Sequence, residues 1–197
     1  MATTFQDLQT YLTAAGLGFE ANDEHQTIAI GFTGEPDDTT YRDEDGDPSV
    51  RILVRLVERG EFVAVFSPQA WDLSDSEHVP AVCEAVARMQ ARMKLIRFDL
   101  GEGGFLQPNV EIPLEKAPMC AEQLLRAIAG VLIAVKEFDP VVRHAKETGI
   151  VDLELINDEV PDMPPEINQI LELGERAGGL DALEQLLGGG DAPPVEA

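Results

Sequence analysis

The sequence predicts an α+β domain, an antiparallel sheet of about five strands with helices packed on it, in the order α-β-β-β-α-β-β-α. Three observations point there. Val50–Glu58 and Glu61–Ser67 are apolar-rich runs joined by a turn at Arg59-Gly60. Leu95–Leu100 and Phe105–Ile112 are joined by Gly101-Glu102-Gly103-Gly104. Turns this short make hairpins, and hairpins make antiparallel pairs. Three longer stretches repeat apolar residues at helical spacing and supply the cover that a sheet face needs.

Thr4–Ala15 opens the chain as a helix, with Phe5, Leu8, Tyr11, Leu12 and Ala15 on one face. Thr4 is its N-cap, Asp7 lies in its first turn and Gly16 is its C′ residue. His25–Thr33 is the first strand, with Ile28, Ile30 and Phe32 alternating on one side. Gly34–Pro48 is an acidic loop. In Val50–Glu58, residues Val50, Ile52, Val54 and Leu56 share a face. The second helix begins between Ser74 and Pro80, with Ser74 and Glu77 at capping-box spacing and Pro80 in the first turn. Its stripe is Val79, Val82, Cys83, Val86, Met89, Gln90 and Met93, and Arg88, Arg92 and Lys94 make a basic end.

In the last hairpin Pro108 has no N–H for a ladder, so Phe105–Ile112 is expected to be an edge or to bulge there. Pro118–Phe138 is a long helix burying Leu124, Leu125, Ile128, Val131, Leu132 and Val135. Asp139-Pro140 is expected to stop it and cap a short helix ending at Gly149. The domain thus spans residues 1–149. Residues 150–197 form an acidic tail containing prolines and glycines, with Arg176 as its only Lys or Arg. Two short amphipathic pieces stand out in it, one with Ile167, Ile170, Leu171 and Leu173, the other with Leu180, Leu183, Leu186 and Leu187. Neither is long enough to hold a helix alone, so both are expected to dock back on the domain, the alternative being a disordered tail that serves as a solubilising or recognition segment.

The formal charge of −23 argues against sequence-independent nucleic-acid binding and against docking on anionic membranes. It favours solubility and basic partners. No apolar run approaches the roughly 20 residues that span a bilayer, and no signal peptide is seen. Cys83 and Cys120 do not make a disulfide framework, which points to a reduced, cytoplasmic protein.

Candidate chemistry is sparse. Asp43, Asp45 and Asp47 alternate as calcium ligands do, but Gly46 falls at loop position 4 instead of 6, Pro48 follows, and no glutamate closes the loop. A solvated loop with no metal is the reading. The glycines at 101–104 lead into a strand, whereas a phosphate loop leads into a helix. Cys120 near a helix start could carry a lowered pKa, yet no local motif brings His25, His78 or His144 to it. No cofactor is implied.

Several segments together resemble the YbjN family, whose fold is that of the type III secretion chaperones. They are Phe5-Gln-Asp-Leu-Gln-Thr-Tyr-Leu followed by Gly16-Leu-Gly-Phe-Glu, the strand pair around Glu58-Arg-Gly-Glu61, the join Lys94-Leu-Ile-Arg-Phe-Asp-Leu, and Val110-Glu-Ile-Pro-Leu before Glu122-Gln-Leu-Leu. The similarity covers roughly residues 3–147. It implies a compact domain without a known active site, of a kind that binds extended protein segments and commonly dimerises. The long acidic tail, and Met119-Cys120 where a Ser or Thr cap is usual, depart from the pattern.

The function expected is a non-catalytic binding module, chaperone-like or regulatory, that handles protein or peptide segments. The alternatives are an enzyme with a dispersed site involving Cys120, or a purely self-associating adaptor. A homodimer is the expected assembly. The stripe Val82, Val86, Met89 and Met93 is read either as core or as a partner or dimer surface with Arg88 and Arg92 at its rim, and Trp71 either as a lid over the core or as an exposed anchor of that surface. The expected docking residues of the tail are Ile167, Ile170, Leu171, Leu183, Leu186 and Leu187.

Overall fold

The computed structural model describes residues 3–33, 41–43, 45–114 and 117–156. Helix α1 (Phe5–Ala14) begins at a capping box. The Thr4 hydroxyl accepts the Asp7 N–H, and the Asp7 carboxylate accepts the Thr4 N–H at 2.7 Å. Strands β1 (Glu20–Asn22), β2 (Thr27–Thr33), β3 (Ser49–Val57) and β4 (Phe62–Phe66) follow as an antiparallel meander. Then come β5 (Trp71–Asp72), α2 (Val79–Gln90), β6 (Arg97–Leu100), β7 (Phe105–Pro113) and α3 (Ala121–Thr148). Among the described residues the sheet therefore has seven strands, two more than expected. The additions, β1 and β5, are three and two residues long, too short to show an alternating pattern.

The order across the sheet is β1-β2-β3-β4-β7, with β6 on the far side of β7 and β5 sharing the β4 side. Val54 is opposite Val65, and Val65 is opposite Val110, so one face is continuous across three strands. Ile28, Ile30, Ile52, Val63 and Leu106 extend the same buried layer. Helix α3 packs on β3, β4 and β7, with α1 and α2 against it. Met119 ties α1 to the start of α3: its N–H donates to the Thr3 hydroxyl at 2.6 Å, and its carbonyl accepts the Tyr11 hydroxyl at 2.9 Å.

Strand β7 is neither an edge nor bulged at Pro108; it is paired on both sides. The Pro108 carbonyl accepts the Ser67 N–H, so its missing donor points to that same side. There β4 has ended at Phe66 and β5 has yet to begin. The proline falls in the gap between two partners, where no ladder bond is lost.

One cap and one helix boundary also differ. Helix α2 starts at Val79, within the expected range and with Pro80 in its first turn, but it has no side-chain cap, and the Ser74 N–H is taken by the Asp72 carboxylate at 2.8 Å. Helix α3 runs through Pro140 to Gly149, which caps it at φ 74°. A proline inside a helix costs about 3 kcal/mol. Val135, Phe138, Val141, Val142 and Ala145 flank it on one buried face, and each large one contributes about 1.5–3 kcal/mol of burial. Packing wins, and Asp139 spends its carboxylate elsewhere, as follows.

Candidate functional site

Alternation along β7 turns successive backbone groups to opposite sides. Even-numbered residues face β4 and β5: Pro108 accepts from Ser67, and the Leu114 N–H donates to Glu61. Odd-numbered residues face β6: Phe105 accepts from the Gly101 N–H. Strand β6 begins at Arg97, opposite Asn109. Before it, Leu95 takes φ 69° and turns the chain out of the strand line, leaving its own side chain 79% exposed. The N–H and carbonyl of Glu111 therefore face a side on which no described strand is paired with them.

An apolar groove of about 810 Å³ lies where β6 would otherwise have continued. Met93, Ile96, Val110, Ile112, Ala127, Gly130, Ile133, Phe138 and Ile156 line it. Gly130 makes the wall possible, because a Cβ there would stand 3.1 Å from Ile96 Cδ1. Arg92, Lys94 and Arg126 give the rim three cations, against the carboxylates of Glu111 and Glu137. On the outer face of the sheet Arg97 pairs with Glu111 at 2.8 Å and with Asp99 at 3.2 Å, fixing the end of β6 beside the open edge. The Glu111 carboxylate holds the Arg97 guanidinium above its ordinary pKa.

The residues expected as a partner surface are dispersed. Val82, Val86 and Met89 are buried in the core. Helix α2 turns them inward and presents Cys83, Glu84, Ala87, Arg88 and Gln90 to solvent. Cys83 is thus exposed, although it belongs to the apolar stripe by sequence. Arg88 pairs with Glu84 one turn back on the same exposed face. Met93, beyond the end of α2, and Arg92 do reach the groove. Trp71 is buried and not an exposed anchor. Its indole N–H donates to Asp139 at 3.0 Å, and Asp139, which is 1% exposed, also pairs with Arg143 at 3.3 Å. Tyr41, Trp71, Phe98 and Phe138 form an aromatic chain with centroid spacings of 6.4, 6.2 and 6.0 Å. Ile167, Ile170, Leu171, Leu183, Leu186 and Leu187 lie outside the described residues.

The chain resembles YbjN and the type III secretion chaperones in structure. It is similar to YbjN from E. coli, a proposed transcription regulator, with 10% identity, 71% of this chain and 94% of that chain covered, and a TM-score of 0.49. A chain of the HopA1–SchA chaperone–effector complex matches with 12% identity, 66% and 90% coverage and a TM-score of 0.43. A chain of the ExsC–ExsE complex matches with 12% identity, 70% and 92% coverage and a TM-score of 0.47. No protein-family profile and no curated protein matches the sequence.

The remaining candidates do other work. Asp43 accepts the Asp45 and Asp47 N–H groups at 3.1 and 2.9 Å and bonds the Ser49 hydroxyl, which holds its carboxyl below the usual value. It organises its own loop, and no acidic cluster with metal-holding geometry occurs among the described residues. Gly101–Gly104 is a hairpin turn closed by bonds from Gly101 to Phe105 and from Gly104 to Gly101. Cys120 is the N-cap of α3, and its N–H donates to the Gln123 side chain at 3.0 Å. Although Cys120 is exposed, partial desolvation of its thiol, followed by the bond to Glu122, pushes that thiol above the usual value. A helix start alone favours a thiolate, but here desolvation and a neighbouring carboxylate win. No helix among the described residues is long and apolar enough to cross a membrane.

Proposed function

We propose that the protein is a non-catalytic binding module that receives an extended, apolar segment of a protein or peptide in the groove between β7 and α3. The observation that carries this is the backbone of Glu111 beside that groove, which no described strand pairs on the β6 side. An incoming strand gains main-chain bonds there and places alternate side chains among Ile96, Ile112 and Ile133. Such strand addition joins a generic backbone interaction to a pocket that selects for apolar residues. The raised thiol of Cys120 weighs against the cysteine-enzyme alternative, since a nucleophile needs the opposite shift. The two free, exposed cysteines suit a reduced cytoplasmic setting.

Panning a displayed random-peptide library against the full chain tests this reading. Selected peptides should be rich in apolar residues and should lose binding to Ile133→Glu and to Ile112→Glu. Both positions line the groove and neither is fully buried, so the variants should remain folded. Peptides that bind both variants as well as the unaltered chain would place the binding surface elsewhere. Failure to enrich any peptide would remove the reading.

A further inference from the structure

Ile156, the last described residue, is itself buried in the groove wall. Ile156 is thus the point of attachment of the rest of the chain, residues 157–197. Its first part carries Asp158, Glu159, Asp162, Glu166, Glu172 and Glu175 around the apolar residues Ile167, Ile170, Leu171 and Leu173. The groove offers an apolar floor and a rim on which three cations, Arg92, Lys94 and Arg126, outnumber two carboxylates, Glu111 and Glu137, in a chain with only 14 Lys and Arg in all. Length is no obstacle. From Ile156 to Ile167 the extended chain reaches about 36 Å, enough to turn back along a groove of this volume.

We propose that the segment Glu166–Leu173 of this chain occupies the groove, with Ile167, Ile170 and Leu171 on its floor and the flanking carboxylates at its basic rim. The segment is then a tethered competitor of the outside partner. This rests on the groove being the binding site and names what fills it when no partner is present. Tethering gives an effective concentration in the millimolar range. A segment with an intrinsic Kd of about 100 µM then stays about nine-tenths bound and weakens an outside segment's apparent affinity about tenfold.

The test uses the full chain and a synthetic peptide with the sequence of residues 157–176. In the unaltered chain, hydrogen exchange at 166–173 should be slower than in the free peptide. In I170E/L171E the groove should be released, and the peptide should bind about tenfold more tightly than to the unaltered chain. Arg126→Glu should lower protection at 166–173 without changing the unfolding midpoint of the domain. Exchange at the free-peptide rate in the unaltered chain overturns the proposal, as does I170E/L171E binding the peptide no more tightly. Protection that grows with protein concentration assigns the segment to the groove of a second copy and overturns the intramolecular arrangement. If library-selected peptides bind the unaltered chain and I170E/L171E equally, while the 157–176 peptide binds neither, the groove is a binding site and the tail is not its occupant. If none of these peptides binds, it is the groove reading that fails.

Discussion

The bond between Trp71 and Asp139 joins the short β5 strand to α3 at its proline, and its contribution can be worked out. Asp139 is 1% exposed, and its two carboxylate oxygens receive Trp71 at 3.0 Å and Arg143 at 3.3 Å. The Arg143 side chain is 45% exposed, so losing that pair costs little, at most about 1 kcal/mol. The indole bond is different, because it is charge-assisted and buried. Such bonds contribute about 1.5–3 kcal/mol, and an orphaned buried donor costs about 1–3 kcal/mol. Asp139→Ala should therefore destabilise by about 3 kcal/mol, while Asp139→Asn, which keeps an acceptor, should cost about 1 kcal/mol. Trp71→Phe removes the donor and leaves the ring stack largely filled. A double-mutant cycle of Trp71→Phe and Asp139→Ala should then show a coupling of about 1.5–2 kcal/mol. Urea unfolding followed by far-ultraviolet dichroism measures it, since the protein has one Trp and loses it in the cycle. With a slope of about 2 kcal/mol per molar urea, Asp139→Ala should move the midpoint by more than about 1 M. Additive single effects, within about 0.3 kcal/mol, would refute the bond as the cause.

Met89 is fully buried, so Met89→Glu should unfold the chain or abolish its cooperative melt; a folded monomer with an unchanged midpoint would mean that α2 faces outward. Gly104→Ala should cost about 1–3 kcal/mol by thermal melting, because φ is 80° and a Cβ would lie 2.9 Å from the Ser74 Cα, whereas Gly101→Ala, whose nearest contact is 3.6 Å, should be mild. In a Cys83→Ser background, alkylation of Cys120 should rise only above the ordinary thiol value of about 8.5, because the protonated form is favoured in the fold. An inflection below about pH 7 would restore a reactive cysteine.

The period-2 and period-3.6 patterns carried the layout well because each element has one wet side. Val50, Ile52 and Val54 alternate with Arg51 and Arg55, and β3 is found where that alternation runs. Thr4 and Asp7 form the cap their spacing predicts. Periodicity failed where burial is two-sided or pairing is local. It could not say that the Val82–Met89 stripe meets the core and not a second copy, since both look alike along a helix. It placed a stop at Asp139-Pro140 because proline chemistry is local, while the packing that overrides it comes from distant segments. Trp71 stood between a lid over the core and an exposed anchor, because nothing in its neighbourhood announces a carboxylate 68 positions away. The groove was only partly legible. Met93 and Arg92 were picked out, but its floor is assembled from the turn before β6, the end of β7 and the middle of α3. Gly130 was the available signal, a glycine within an apolar helix that marks the close approach of Ile96.

The charge of the chain separates the two possible occupants of that groove. At −23, the protein as a whole disfavours an acidic segment arriving from solution. The screening length is only about 8 Å at physiological salt, so a segment held at the rim would feel mainly the rim's own charges, the cations Arg92, Lys94 and Arg126 outnumbering the carboxylates Glu111 and Glu137. An acidic segment on the same chain is spared the approach and keeps the rim contacts. A separate acidic segment meets the repulsion first and the rim cations only afterwards. The arrangement thus favours an acidic occupant in cis and a neutral or basic one in trans. In the proposed arrangement, an outside segment that displaces the tail would have to make up the rim contacts through its own apolar side chains and through main-chain bonds to Glu111. Those bonds are indifferent to charge, which makes the side of β7 that no described strand pairs, more than the rim, the feature an outside partner would exploit.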